Sequence, residues 1–169
     1  PVRQKSGKPI DFTLLVPDDQ ISVRIGNMAV SNWEQLNIQA TLEVIPSDTL
    51  KDKHLFNRHF EAILVNLSLI GTPDPDPYPF WHQTEIDTGQ NYSGYDNRLI
   101  SELLEQARVT NSIAERRRLY ANFQARFVDQ TPALLLYYPV YSYAVDRQVR
   151  GIQMGPLLEP SDRFQSIED

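Results

Sequence analysis

Two carboxylates flank a proline near the middle of the chain, and they have the clearest capacity for acid–base chemistry. Asp74 and Asp76 stand on either side of Pro75. A carboxylate pair can hydrolyse a glycoside, one acting as acid and the other as base or nucleophile. Asp and Pro are also frequent in turns, because Asp accepts backbone hydrogen bonds and Pro fixes φ. The pair therefore allows three interpretations: catalysis, ligand contact or turn structure.

Other combinations that carry chemistry are weak or missing from the sequence. The histidines are His54, His59 and His82, and the first two are five residues apart, which does not place them on one helix face. Zinc needs three or four converging ligands, and the chain has no cysteine, so neither a metal site nor a cofactor is predicted. Neither a G-x-S-x-G nucleophile motif nor a glycine-rich phosphate loop occurs. The sequence therefore does not favour an enzyme.

An aromatic, proline-rich stretch surrounds the two carboxylates. Residues 71–95 include three glycines and four prolines and show no helical or strand periodicity. Long loops are often functional, and aromatic faces beside a few polar groups are typical of pockets for small polar ligands. The alternative is that the aromatic side chains close one end of the core. They are Tyr78, Phe80, Trp81, Tyr92 and Tyr95.

Alternating strand and helix patterns precede this loop. Apolar residues alternate over 10–16 and 38–44, which predicts two strands, and the apolar run 60–69 predicts a third strand buried on both faces. An amphipathic helix that stops at Asn37 is predicted between the first two strands, and a short helix at 46–58. The order favours an α/β layer with right-handed crossovers. The apolar positions of the longer helix are Ile25, Met28, Ala29, Trp33 and Leu36.

Two helices and an apolar segment follow the loop. Asp96 is the predicted N-cap of the first helix. Ser112 and Glu115 form a capping-box pattern at the start of the second. Residues 133–145 are apolar and rich in tyrosine, and Pro139 restricts them to an edge strand or to two strands joined at a bend.

Composition and charge narrow the possible classes of protein. The 169 residues are 41% hydrophobic and 22% charged, which is typical of a globular domain. The net charge of −6 argues against nucleic acid as a partner. No run of about 18 apolar residues occurs, so no membrane-spanning helix is predicted. The first residue is not Met and no signal-peptide pattern follows it, which predicts that the chain is cut from a longer protein.

Five motifs, in their order along the chain, resemble the family 5 extracellular solute-binding proteins. That family includes the dipeptide-, oligopeptide- and nickel-binding proteins of ABC importers. The matching segments are 73–81 ("DP…W"), 91–97 ("N…GY.N"), 117–123 ("R…Y"), 131–138 ("P.…LY") and Arg163-Phe164 near the end.

The resemblance implies both a fold and a set of ligand contacts. The fold is α/β, a periplasmic-binding-protein-like (type II) lobe with a mixed sheet flanked by helices. Residues 1–169 would be a single domain, the C-terminal lobe of a longer two-lobed protein, with 1–8 and 151–169 as connecting segments. Peptide-binding members place an Asp before the "DP" segment to pair with the peptide amine, whereas residues 67–72 contain no acid. The implied ligand-binding residues are Leu69, Gly71, Thr72, Asp74, Trp81, Gln90, Asn91, Tyr92 and Tyr95.

The implied function is capture of a small polar solute between two lobes that close about a hinge, followed by docking on an ABC permease. A peptide-like ligand is favoured, with a sugar or a metal complex as alternatives. A glycoside hydrolase using Asp74 and Asp76, or a ligand-binding sensor ectodomain, are the alternative functions. The expected location is extracytoplasmic, in the periplasm or lipid-anchored at the cell surface. Self-association through the exposed apolar cleft face is also expected.

Overall fold

The computed structural model describes residues 2–68, 76–140, 142 and 144–150. The chain divides into two compact units, Pro1–Leu67 and Ser68–Asp169. A single domain with connecting segments at 1–8 and 151–169 therefore stays a prediction. The first unit contains β1 (Gln4–Lys5), β2 (Lys8–Pro9), β3 (Asp11–Pro17), α1 (Gln20–Gln35), β4 (Gln39–Ile45), α2 (Ser47–Thr49), π-helical turns at Leu50–Leu55, and β5 (Ala62–Ile63).

A parallel sheet of three strands, in the order β4-β3-β5, forms the centre of the first unit. The register pairs Asp11 with Gln39 and Leu14 with Ala62. Parallel neighbours need a crossover, and α1 provides the crossover between β3 and β4. The predicted strands at 10–16 and 38–44, and the helix between them, are therefore confirmed.

Helix α1 lies close against the sheet at Gly26. A Cβ atom at this buried position would lie 2.6 Å from Cδ1 of Leu42 and 2.9 Å from Cγ1 of Val16, so the missing side chain permits the approach. The predicted apolar stripe was partly wrong, because Met28 and Leu36 are 65% and 52% exposed. The buried face of α1 centres on the glycine, which an apolar periodicity cannot detect.

The ends of α1 follow simple capping chemistry. Oδ1 of Asp19 accepts the N–H groups of Ile21 (3.0 Å) and Ser22 (2.9 Å) at the start of the helix. After the helix, Asn37 has a left-handed backbone with φ 59°, a conformation that Asn tolerates better than most residues. The predicted stop at Asn37 is confirmed.

The predicted third strand over 60–69 is much shorter than expected. Only Ala62 and Ile63 form β5, and both are half-buried rather than buried on both faces. The preceding residue explains where the ladder begins, since Glu61 Oε2 accepts the backbone N–H of Thr13 at 2.8 Å. A side chain thus takes a donor that a longer strand would have paired with a carbonyl. Leu69 lies outside the described residues.

The second unit is helical throughout its described elements. The helix pair α4 and α5 packs together, and α3 packs on α4. Trp81 meets Phe127 edge to face, with ring centroids 4.6 Å apart. Its elements are α3 (Tyr78–Trp81), a 3₁₀ turn (Gln83–Glu85), α4 (Arg98–Val109) and α5 (Ile113–Gln130). Its buried apolar residues include Phe80, Trp81, Ile100, Leu104, Ala107, Leu119, Phe123 and Phe127.

The caps of α4 and α5 differ in how well they were predicted. The N-cap of α4 is Asn97, not Asp96, and its Oδ1 accepts the N–H of Ile100 at 3.1 Å. Ser112 caps α5 as predicted, with Oγ accepting the N–H of Glu115 at 3.3 Å. The Glu115 carboxylate pairs with Arg118 at 2.6 Å. Adjacent Asp and Asn are near-equal caps by type, so the choice depends on where the backbone turns.

The strand predicted after α5 is not seen in the residues that the structure describes there. Among the described residues of 133–145, none belongs to a strand or helix. A strand needs a neighbour to accept its backbone hydrogen bonds, and apolar composition alone does not supply one. Separately, none of the described helices is long and apolar enough to cross a membrane.

Candidate functional site

The described part of the aromatic loop begins with a carboxylate whose oxygens are both occupied. Oδ1 of Asp76 accepts the backbone N–H of Tyr78 at 3.0 Å. Oδ2 accepts from Nε and Nη2 of Arg108, each at 2.7 Å. The same guanidinium lies 3.5 Å from the ring centroid of Tyr78, a cation–π contact. Asp76 therefore attaches the loop to α4, which is the turn-structure interpretation of this residue.

A histidine lies beneath Tyr78. The two rings are nearly parallel, with centroids 3.9 Å apart, and His82 is 2% exposed. Nδ1 of His82 accepts the backbone N–H of Thr84 at 3.2 Å, which leaves the Nε2 proton to be donated to Glu105 at 3.0 Å. Arg108, Tyr78 and His82 thus form three layers, called here the Arg–Tyr–His stack, and Glu105 and Arg108 hold it on α4.

Glu105 connects the Arg–Tyr–His stack to a second arginine, Arg98. The hydrogen bond from His82, opposed in part by desolvation and assisted by the positive charge of Arg98, holds the pKa of the Glu105 carboxyl below its ordinary value of 4.5. Nη1 of Arg98 lies 3.2 Å from the same oxygen, Oε1, that His82 contacts. The carboxylate form is therefore favoured in the folded state.

We expect the second unit to lose less stability in acid when Glu105 is replaced with Gln. A carboxyl whose folded pKa is depressed stabilises the fold fully above its unfolded pKa, and this stabilisation disappears as the pH falls through the folded pKa. The difference in unfolding free energy between wild type and variant should therefore be largest near neutral pH and should shrink below about pH 4.5. Urea unfolding at a series of pH values measures it. A difference independent of pH would contradict the assignment.

Asn91 is the polar centre of the loop, and it is completely buried. Its Nδ2 donates to the carbonyl oxygens of His82 (3.1 Å) and Tyr95 (2.9 Å). Its Oδ1 accepts from the N–H of Tyr95 and from Oγ of Ser93, each at 3.1 Å. The amide is thus engaged on both sides by the loop itself, as a buried polar group requires.

Tyr95 and Asn97 connect the loop to both long helices. The Tyr95 hydroxyl donates to Oε1 of Gln130 at the end of α5, and Nδ2 of Asn97 donates to the same oxygen at 2.8 Å. Desolvation raises the pKa of the Tyr95 hydroxyl above its ordinary value of 10.0, so it stays protonated and able to donate. The "N…GY.N" motif is therefore built into a hydrogen-bonded frame that joins the start of α4 to the end of α5.

The predicted ligand-binding residues lie in environments that differ in solvent exposure. Trp81 and Asn91 are interior, whereas Tyr92 and Tyr95 are half-buried and Gln90 is exposed. The other four residues lie outside the described residues, so no contact of theirs is part of this geometry. They are Leu69, Gly71, Thr72 and Asp74.

Sequence reasoning missed the stack on α4. Only the lack of a metal-site spacing bears on His82 in the sequence, and no motif includes Glu105 or Arg108. The available signal was their spacing of three residues, which places both on one helix face. Nothing in the sequence, however, pairs that face with Asp76 and His82, which are 32 and 23 residues away along the chain.

Beyond the loop, the described part of the chain contains other acidic and histidine side chains and an open groove. No group of three or more His, Cys, Asp or Glu side chains there could hold a metal ion. An open groove lies between α4 and α5, but none of the predicted ligand-binding residues lines it. Its lining consists of Leu99, Glu102, Leu103, Gln106, Asn122, Ala125, Arg126 and Asp129.

Comparison with known proteins bears directly on the resemblance found in the sequence. No protein-family model matches the chain. It is 27% identical over 160 residues to a probable D,D-dipeptide-binding periplasmic protein of Escherichia coli, a match that covers 91% of this chain. The predicted resemblance is confirmed. This chain spans 30% of the length of that relative.

Solved structures confirm the predicted fold class. An ABC transporter-associated periplasmic binding protein of Helicobacter pylori, in complex with the peptide STSA, superposes with a TM-score of 0.72 at 22% identity, covering 93% of this chain and 30% of that one. The oligopeptide-binding protein of Bacillus subtilis, in complex with a nonapeptide, gives 0.71 at 21% identity, covering 78% and 26%. At these identities the likeness establishes the fold, that of a periplasmic-binding-protein-like α/β lobe. The relatives are binding proteins, not enzymes.

Proposed function

We propose that this chain is one lobe of an extracytoplasmic solute-binding protein that captures a small peptide-like solute for an ABC importer. The observation that carries the proposal is the match to a dipeptide-binding relative over 91% of the chain, with the matching loop motif held in a hydrogen-bonded frame. In this view the lobe is C-terminal, the solute is enclosed by hinge closure against a second lobe, and the closed form docks on a permease.

The predicted ligand-binding residues divide into those proposed to contact the solute and those proposed to hold the loop in place. Leu69, Gly71, Thr72 and Asp74 are proposed as contacts on the resemblance alone. Gln90 and Tyr92 are proposed as further contacts. Trp81, Asn91 and Tyr95 act by holding the loop, because their polar or apolar groups are engaged within the second unit. No acid precedes the "DP" segment, so amine recognition by the usual carboxylate is not part of the proposal.

The environment of Asp76 weighs against glycoside hydrolysis. A general acid or base must reach the proton it transfers. Both oxygens of Asp76 are taken by Arg108 and the Tyr78 N–H, so neither is open to a substrate proton. The Asp74/Asp76 pair is therefore not proposed as catalytic machinery.

We expect the 169-residue chain alone to bind dipeptides weakly, with a Kd above about 1 mM. Half of the contacts around an enclosed solute would come from the second lobe. Calorimetry with L-alanyl-L-alanine and D-alanyl-D-alanine measures the affinity, and mass spectrometry of the longer parent protein, purified without added ligand, identifies what it carries. Micromolar binding by the isolated chain would contradict the two-lobe account. A parent that carries a sugar or metal complex would replace the peptide part of the proposal.

A further inference from the structure

Two glutamates on α4 have the same exposure and the same arginine partner but differ in what else they contact. The side chains of Glu102 and Glu105 are each 42% exposed, and they pair with Arg98 at 2.9 and 3.2 Å respectively. Glu105 also contacts the aromatic loop, with 3.0 Å between its Oε1 and Nε2 of His82. Within the part of the chain that the structure describes, Glu102 makes no hydrogen bond or ion pair to that loop.

The backbone of His82 connects this attachment to Asn91. The His82 carbonyl accepts Nδ2 of Asn91 at 3.1 Å and the N–H of Glu85 at 3.0 Å. The Glu85 carbonyl in turn accepts the N–H of Asn91 at 3.1 Å. These three residues are thus joined to one another by hydrogen bonds. Because the 2% exposed side chain of His82 is held by Glu105, the position of Asn91 depends on Glu105 as well.

Gln90 and Tyr92 lie on either side of Asn91 along the chain. The N–H of Tyr92 donates to the carbonyl of Gln90 at 2.8 Å. Gly89 lies directly against Glu85, since a Cβ atom at Gly89 would be 2.8 Å from the Cα atom of Glu85. The backbone is therefore fixed on both sides of Gln90, and a displacement of Gln90 requires a displacement of Asn91 or Glu85.

We propose that Glu105 and His82 are positioning residues for solute binding, which hold Gln90 and Tyr92 in place without contacting the solute. This inference rests on the proposed function, in which Gln90 and Tyr92 contact a peptide-like solute. A loop that is already ordered loses less conformational entropy when a solute binds. Without Glu105, Nε2 of His82 would lose its acceptor, the loop would be held less firmly, and the affinity for the solute would fall.

Calorimetry of the longer parent protein with L-alanyl-L-alanine tests the inference. We expect Glu105→Ala to weaken binding about tenfold, because the loop loses an attachment to α4. Glu102→Ala is the matched control, since it removes an equally exposed carboxylate from Arg98 and should change the affinity less than about twofold. Glu105→Gln should recover most of the affinity, because its amide oxygen can still accept from Nε2 of His82. Circular dichroism verifies that all three variants are folded.

A double-mutant cycle separates positioning from a general loss of stability. If Glu105 acts by placing Gln90 and its neighbour, Glu105→Ala should weaken binding less in a Gln90→Ala background than in the wild type. Additive effects, equal weakening by Glu102→Ala, or no recovery by Glu105→Gln would each overturn the inference. A wild-type parent that does not bind the dipeptide would instead contradict the proposed function, so the two failures are distinguishable.

Hydrogen exchange in the 169-residue chain tests the same coupling without a solute. The amides of Asn91 and Tyr95 donate to the Glu85 carbonyl and to Oδ1 of Asn91, and they should be protected only while the loop is held. We expect both amides to exchange faster in Glu105→Ala than in Glu102→Ala. Equal exchange in the two variants would show that Glu105 does not position the loop.

Discussion

Replacing Asn91 with alanine should destabilise the second unit by about 3 kcal/mol. The change removes two donated and two accepted hydrogen bonds at a completely buried position. The carbonyl and the N–H of Tyr95 would lose the partner that Asn91 provides, whereas the His82 carbonyl would keep the Glu85 N–H at 3.0 Å. Leaving buried polar groups unsatisfied costs more than the bonds themselves contribute. Asn91→Asp should also be harmful, since a carboxylate cannot donate to the two carbonyl oxygens.

The measurement can be confined to the unit that contains Asn91. The chain has two tryptophans, Trp33 in the first unit and Trp81 in the second. In a Trp33→Phe background, urea unfolding followed by fluorescence reports on the surroundings of Trp81 alone. Ser93→Ala is the matched control, because it removes only the 3.1 Å bond to Asn91 and should cost less than about 1 kcal/mol. If Asn91→Ala retained wild-type stability but weakened solute binding in the parent, Asn91 would be a ligand contact instead.

Trp81→Ala should cost the second unit about 3–5 kcal/mol. The indole is 8% exposed and its ring lies edge to face with Phe127, so truncation leaves a cavity between α3 and the helix pair. An indole that lined an open cleft would instead be dispensable for folding. Trp81→Phe should recover much of the loss, because an aromatic ring can still meet Phe127.

Helix content followed by circular dichroism during urea unfolding measures this effect without the lost fluorophore. Gln90→Ala is the control from the same loop, exposed in the structure and expected to change stability by less than about 0.5 kcal/mol. In the parent protein, Gln90→Ala should weaken dipeptide binding and leave the free energy of unfolding unchanged. If Trp81→Ala unfolded like wild type, Trp81 would be a cleft residue.

The local patterns that were predicted well share a physical cause. Strands β3 and β4, helix α1 and the Ser112 cap depend on alternation, helical spacing or contact with a neighbouring N–H. Each is determined by residues a few positions apart. The α/β class follows from the order of these elements, and the motif order carried the resemblance that the relatives confirm.

Features that depend on distant partners could not be predicted in the same way. The run 60–69 is apolar enough for a long strand, but Glu61 takes the Thr13 N–H and pairing is confined to Ala62 and Ile63. Residues 133–145 have the composition of an edge strand or of two strands joined at a bend, yet none of those described belongs to a strand. Strand formation needs a second strand, and the sequence does not say which one is present.

In the aromatic loop, some properties can be predicted from residue type and others depend on distant partners. Its residue types predict an ordered, aromatic segment with fixed polar groups, and that holds for the described residues 76–95. Whether a given side chain faces a ligand or the core depends on which helix packs behind it. Trp81 faces Phe127, Asn91 binds its own loop, and Asp76 pairs with Arg108. Residue type is given by the sequence, but the burial of a side chain depends on the whole packed unit. Only the tertiary contacts therefore determine which side chains are buried.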